Sequence, residues 1–100
     1  MFNYQVIIPL IPIHVSHKDI QDIFQKLGWF NIQKIKLKQH STKKGNMCII
    51  HVNSWSEKID TDIKETLMKL QTVKVIYSFP NYFLCYMSKN KLYNNYPYET

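Results

Sequence analysis

The stretch that decides the fold is Gly45-Asn46-Met47-Cys48-Ile49-Ile50-His51-Val52. It is rich in β-branched residues, which favour an extended strand. A basic turn at 40–45 precedes it, and a helix-start signal at 54–57 follows it. Side chains alternate between the two faces of a strand, so Cys48, Ile50 and Val52 are predicted to face a core. Met47, Ile49 and His51 then face away from the core, and what they contact is the functional question.

The composition indicates one small basic domain. The chain has 100 residues and a net charge of +6, from 13 basic and 7 acidic residues. All basic residues are lysines, and both arginine and alanine are absent, which is typical of an AT-rich genome. Lysine binds phosphate as a point charge. It lacks the planar guanidinium group with which arginine forms paired hydrogen bonds to guanine. A basic surface here should therefore favour nucleic-acid backbones over particular base sequences.

The two cysteines and the N-terminal apolar run indicate an intracellular protein. Cys48 and Cys85 lie in apolar strand-like runs and have no zinc-site spacing, so they are predicted to be reduced core thiols. The run from Val6 to Val15 is short and is broken by Pro9 and Pro12. It therefore predicts neither a signal peptide nor a membrane span.

Hydrophobic periodicity predicts two helices and five extended segments. The first helix covers 18–27, with Ser16 and Asp19 as a capping box and Gly28 as its C-cap. The second helix covers 57–70, and Ser54 or Ser56 is predicted as its N-cap. The extended segments are predicted at 4–11, 31–39, 47–52, 73–77 and 82–87.

This order, β-α-β-β-α-(β)-β, predicts an α+β fold. Right-handed crossovers give a ferredoxin-like βαββαβ sandwich, a four-stranded antiparallel sheet of order 4-1-3-2 with two helices on one face. The segment 73–77 should form a hairpin with the last strand. Cys48 and Cys85 should then lie about 9–10 Å apart, too far for a disulfide. The predicted core is Val6, Ile8, Leu10, Ile20, Ile23, Phe24, Leu27, Ile35, Leu37, Cys48, Ile50, Val52, Ile59, Ile63, Leu67, Leu70, Phe83 and Cys85.

Two segments resemble the RNA recognition motif (RRM). Ile23-Phe24-Gln25-Lys26-Leu27-Gly28 resembles the helix end "L-F-x-K-x-G" of that family, and Leu10, Pro12 and Asp19-Ile20 share its spacing. The run Val75 to Cys85 is similar to RRM-like proteins of large DNA viruses. The resemblance implies an RRM-like domain at 1–89, a tyrosine-rich tail at 90–100, and RNA binding in the host cytoplasm or nucleus.

The chain departs from the RRM pattern where that family stacks bases. RRMs stack bases on aromatic side chains of two central strands. The corresponding positions here are Ile7, Met47 and Ile49, and none of them is aromatic. The standard stacking platform is therefore missing.

Two functions remain open, both on the outer sheet face. The first is low-specificity binding of RNA or other single-stranded nucleic acid, with lysines on phosphates and tyrosines on bases. The second is binding of a protein partner, or homodimerisation, through an aliphatic centre of Ile7, Met47 and Ile49. The predicted nucleic-acid-binding residues are Lys34, Lys36, Lys38, Lys43, Lys44, Met47, Ile49, Tyr82 and Tyr86.

Enzymatic chemistry is not predicted. His14 and His17 have an H-x-x-H spacing but no third ligand in the sequence, and catalytic zinc needs three protein ligands. No nucleophile–base pair, glycine-rich phosphate loop or paired carboxylates occur. The sequence therefore predicts a binding module without metal or cofactor.

Overall fold

The computed structural model describes residues 4–39, 43–78 and 80–89. These residues form an α+β fold of five strands and two helices, which confirms the predicted class. The predicted tail at 90–100 lies outside the described residues. In chain order the elements are β1 Tyr4–Ile11, α1 His17–Leu27, β2 Phe30–Gln39, β3 Asn46–Trp55, α2 Thr61–Met68, β4 Val73–Ser78 and β5 Asn81–Lys89.

The sheet is antiparallel and has the order β2-β3-β1-β5-β4. The predicted count of four strands is wrong, and the order 4-1-3-2 is incomplete, because β4 joins the sheet as a fifth strand at its edge. The predicted hairpin between β4 and β5 is confirmed. Both helices contribute to one core on one face of the sheet, which leaves the other face without a helix.

The first helix, α1, begins and ends at the capping residues that the sequence predicts. The Ser16 side chain accepts a hydrogen bond from the backbone N–H of Asp19, and the Asp19 carboxylate accepts one from the backbone N–H of Ser16. The hydrogen bond from the Ser16 backbone N–H to the carboxylate is the main cause that holds the pKa of the Asp19 carboxyl below its usual value, and a hydrogen bond of the Ser16 side chain adds to it. Gly28 ends the helix in the left-handed conformation, where its N–H donates to the Phe24 carbonyl. Each helix end therefore satisfies backbone groups that would otherwise lack partners.

The second helix is shorter than predicted. It covers Thr61–Met68 rather than 57–70, and Asp60 is its N-cap, so the prediction of Ser54 or Ser56 is wrong. The Asp60 carboxylate accepts hydrogen bonds from the backbone N–H groups of Asp62 and Ile63. The chain leaves the helix before Leu70, which has a φ of 60° and an exposed side chain. The prediction that Leu70 belongs to the core is therefore also wrong.

Aromatic side chains join α1 to the sheet. Phe24 on α1 is fully buried and stacks on Phe30 of β2 and Phe83 of β5, with ring centroids 5.5 and 6.3 Å apart. Trp29 meets the edge of the Phe24 ring at a centroid distance of 5.8 Å. The buried residues that the sequence analysis left out of the core are Ile11, Val15, Trp29, Phe30, Val75 and Met87.

A bulge in β1 corrects another core prediction. The pairing of β1 with β3 shifts by one residue between Ile8 and Ile11. Ile8 pairs with Cys48, whereas Ile11, three residues later, pairs with Asn46, only two residues earlier on β3. The extra residue exchanges the faces of the following side chains. Ile11 is consequently buried, and the predicted core residue Leu10 is 38% exposed.

Both cysteines are free thiols in the core. Cys48 lies on β3 and Cys85 on β5, and β1 separates these two strands. Burial raises the pKa of each thiol to about 12. Since the thiolate is the reactive form of cysteine, neither residue is suited to nucleophilic or redox chemistry in the folded protein.

Candidate nucleic-acid interface

The helix-free face of the sheet, called the open face below, gathers the predicted binding residues. One row crosses four strands: Lys36 of β2 pairs with Ile49 of β3, Ile49 with Ile7 of β1, and Ile7 with Tyr86 of β5. Opposed residues of neighbouring strands share a face, so this row runs from a lysine through two isoleucines to a tyrosine. With about 4.8 Å between strands, it spans roughly 14 Å.

Lysines line the β2 side of the open face. Lys34, Lys36 and Lys38 are exposed and pair with His51, Ile49 and Met47 of β3, respectively. The buried residue Ile35 and the partly buried residue Leu37 alternate with them, as the sequence predicts. Lys43 and Lys44 are exposed in the loop between β2 and β3.

The two predicted tyrosines lie at different places on the open face. Tyr86 is half-buried in the central row beside Ile7, whereas Tyr82 is exposed and pairs with Ile76 of β4. The ammonium nitrogen of Lys74 lies 4.3 Å from the centroid of the Tyr82 ring. A cation therefore sits on one face of the exposed ring. A base that stacks on Tyr82 would have the other face of the ring available.

Lys74 is a candidate binding residue that the sequence analysis missed. It pairs with Leu84 across the β4–β5 hairpin and lies on the same face as Tyr82. The turn signal around Pro80 predicts this hairpin but does not fix its register. Only the register reveals that this lysine and the tyrosine are neighbours.

His51 occupies the open face between the lysines and the centre. It pairs with Lys34 on one side and Gln5 on the other, and it is half-buried. Its Nε2 atom is buried and makes no hydrogen bond in the part of the chain that the structure describes. Burial lowers the pKa of His51 below its ordinary value, and the charges of Lys36 and Lys34 lower it further. Both effects favour the neutral imidazole over the charged imidazolium in the folded protein.

We expect His51 to make the fold less stable in mild acid. Between the ordinary histidine pKa of 6.5 and the lowered value in the folded state, the unfolded chain binds more protons. The free energy of unfolding should consequently fall as the pH falls through this window. Urea unfolding at about pH 7.5 and about pH 5.5 measures this decrease in the free energy of unfolding. In H51Q the decrease should be smaller by the amount that His51 contributes.

A matched variant separates the two causes of this pKa shift. K34A/K36A should raise the pKa of His51 only part of the way, because burial still opposes the charged imidazolium. NMR titration of the imidazole ring reports this value directly. A His51 pKa at or above 6.5 in the wild-type protein would contradict the expectation.

Charge is divided between the two layers of the fold. The acidic residues in the described ranges all lie on the helices or in the loop before α2, at positions 19, 22, 57, 60, 62 and 65. No described strand carries an acidic residue, whereas Lys34, Lys36, Lys38 and Lys74 stand on the open face. This face is therefore positive, with no carboxylate of its own strands to offset it.

The described residues that bear on metal or catalytic chemistry lie away from the open face. His17 of the H-x-x-H pair donates from Nε2 to the Ile35 carbonyl at 3.0 Å. Within the described residues no three His, Cys, Asp or Glu side chains are placed to hold a metal ion. A groove of about 240 Å³ between α1 and β2 has no titratable side chain in its lining, which is Gln21, Gln25, Phe30, Asn31 and Ile32.

Comparison with family models, with curated proteins and with solved structures finds no match for this chain. The geometry of the open face is therefore the guide to the function of this chain. Neither helix in the described ranges has the length and apolar character needed to cross a bilayer.

Proposed function

We propose that this domain binds single-stranded nucleic acid on its open face, with little sequence preference. The observation that carries the proposal is the division of charge: the lysines of β2 and Lys74 stand on a face whose strands have no carboxylate. A nucleic-acid backbone is the polyanion that such a surface attracts. Because every basic residue is lysine, phosphate contacts should dominate over base reading.

An RRM-like architecture is part of this proposal. Without the edge strand β4, the order of the sheet is β5-β1-β3-β2, which corresponds to the ferredoxin-like order 4-1-3-2. Ile7 of β1 and Ile49 of β3, which align with the stacking positions of that family, oppose each other in the central row. We infer that β4 is an addition to an RRM-like sheet.

Bases would contact the open face at its centre and its aromatic side. Tyr86 offers a ring beside the aliphatic pair of Ile7 and Ile49, and Tyr82 offers a second ring next to Lys74. Stacking on an aromatic ring tolerates any base. The phosphates would then follow Lys34, Lys36 and Lys38, with Lys43 and Lys44 at the loop end.

The binding test is fluorescence anisotropy with labelled single-stranded RNA and DNA at increasing salt. Wild-type protein should bind both, and log K should fall against log salt with a slope of about −2 to −3.5, as expected for three to five phosphate contacts. Duplex DNA serves as the comparison ligand. No detectable binding to single strands at low salt would refute the proposed function.

Tyr86 provides the test for base stacking. Y86A should weaken binding of either single strand by about 5- to 100-fold, the range measured for loss of one stacking ring. Y86F is the matched control, because it keeps the ring and removes only the hydroxyl, and its affinity should stay near the wild-type value. Equal affinities of Y86A and wild type would show that Tyr86 does not contact bases.

A protein-interaction surface on the same face is the second candidate function. It is favoured by the aliphatic centre, where Ile7 and Ile49 are directly opposed and Met47 follows on β3. An aliphatic patch is a good interface core but a poor base-stacking surface. If I49D dissociates a wild-type oligomer and wild type binds no nucleic acid, this second candidate replaces the first.

A further inference from the structure

The two edges of the sheet differ in how they are protected. On β2, the exposed lysines 34, 36 and 38 repel a neighbouring strand, a common device against edge-to-edge pairing. His17 also donates a hydrogen bond to the Ile35 carbonyl, which satisfies one backbone acceptor of that strand. The β2 edge is therefore poorly suited to pairing with another chain.

The β4 edge carries apolar side chains instead. It has a single charged residue, Lys74, and within the described ranges β4 pairs with β5 alone. The structure describes seven large hydrophobic side chains as exposed, and five of them lie on or beside this hairpin. They are Ile76, Tyr82 and Leu84 on the open face, and Met68 and Leu70 at the end of α2, the helix that packs against β4.

The β4 sequence can pair with itself in an antiparallel register that keeps the two copies of Lys74 apart. If Val75 pairs with Val75 of the partner subunit, Lys74 lies opposite Ile76 of the partner subunit. Opposed residues of neighbouring strands share a face. In this register the open-face residues Lys74 and Ile76 oppose each other, so the open faces of both copies lie on the same side. Lys74 never opposes a second lysine, so this register brings no like charges together.

We propose that β4 is a dimerisation edge, at which two copies of this chain pair antiparallel about Val75. The two-fold axis stands perpendicular to the sheet. Both open faces therefore lie on the same side of one continuous ten-stranded sheet, twice the five strands of each copy. The dimer does not depend on nucleic-acid binding. If the proposed function is also correct, the dimer presents two linked binding faces and gains avidity for long strands.

Mass measurement over a range of concentrations tests the dimer. Sedimentation equilibrium from about 1 μM to about 1 mM should show a monomer–dimer transition in the wild-type protein. I76K should raise the dimer dissociation constant at least about 10-fold, because it places lysine opposite lysine at two symmetric positions and removes apolar contact. Ile76 is 54% exposed, so the monomer should remain folded, and circular dichroism checks this.

A charge exchange tests the register itself. In K74E/I76K each glutamate opposes a lysine of the partner subunit. The dimer dissociation constant should therefore lie within about 3-fold of the wild-type value. I13K is the matched control, because Ile13 is also an exposed isoleucine but lies in the loop after β1. Its dissociation constant should equal that of the wild-type protein.

Three outcomes would overturn the edge dimer. The wild-type chain could remain monomeric at every concentration, I49D rather than I76K could dissociate the dimer, or the folded double variant could remain as weak as I76K. Nucleic-acid binding is measured separately on I76K and wild type. A dimer that binds no single strand would refute the proposed function and leave this inference intact.

Discussion

Alanine at Lys34, Lys36 and Lys38 together is expected to weaken binding of single-stranded RNA and DNA about 100-fold at about 50 mM salt. The three side chains lie on one strand and face one side, so a single bound strand can contact all of them. Each phosphate contact contributes about −0.7 to the slope of log K against log salt. The slope of the triple variant should therefore be less steep by about 2. The difference in affinity between the variant and the wild-type protein should shrink as the salt concentration rises.

The control for this experiment removes the same net charge from the helix layer. Lys26, Lys58 and Lys69 are exposed on α1, before α2 and at the end of α2. K26A/K58A/K69A should retain most of the wild-type affinity and nearly all of its salt slope. If both triple variants lose affinity equally, only total charge matters and the open face is not the binding surface.

G45A is expected to lower the free energy of unfolding by about 2–4 kcal/mol. Gly45 has a φ of +131°, a conformation that side chains with a Cβ rarely adopt. A Cβ at this position would lie 2.5 Å from the Ile11 carbonyl oxygen and 2.9 Å from Leu10 Cδ1. The backbone oxygen cannot move away without disturbing the pairing of β1 with β3.

Urea unfolding of G45A and G28A measures this effect with an internal control. Gly28 also has positive φ, at +65°, but a Cβ there would meet no atom within 4 Å. G28A should therefore lower the free energy of unfolding by only about 1 kcal/mol, the conformational penalty of a side chain at positive φ. If G45A and G28A lower the free energy of unfolding equally, the close approach of a Cβ to the Ile11 carbonyl oxygen does not destabilise the fold.

The sequence predicted those features that depend on neighbours in the chain. The capping box of Ser16 and Asp19 and the C-cap at Gly28 bounded α1 correctly, because all three act within a turn or two. Alternation placed Ile50 in the core and Lys36 on the open face. The positions of the three β2 lysines on one face followed from the same local rule.

Features set by distant parts of the chain were not predictable in this way. The bounds of α2 are a local exception, because the helix begins only after its N-cap Asp60 and ends at Met68, inside the predicted range of 57–70. The exposure of Leu10 depends on a bulge opposite β3. Likewise, Lys74 joins Tyr82 only through the hairpin register.

The central position of β1 has a consequence for how the domain folds. Ile7 pairs with Ile49 on one side and with Tyr86 on the other, so its second partner is far away in the chain. Loop closure over such a distance costs entropy before the pairing forms, so contacts of this kind slow folding. During synthesis on the ribosome, β1 must wait with one edge unpaired until β5 has left the exit tunnel. β1 thus completes its second set of hydrogen bonds only when β5, the last described strand in the chain, is available.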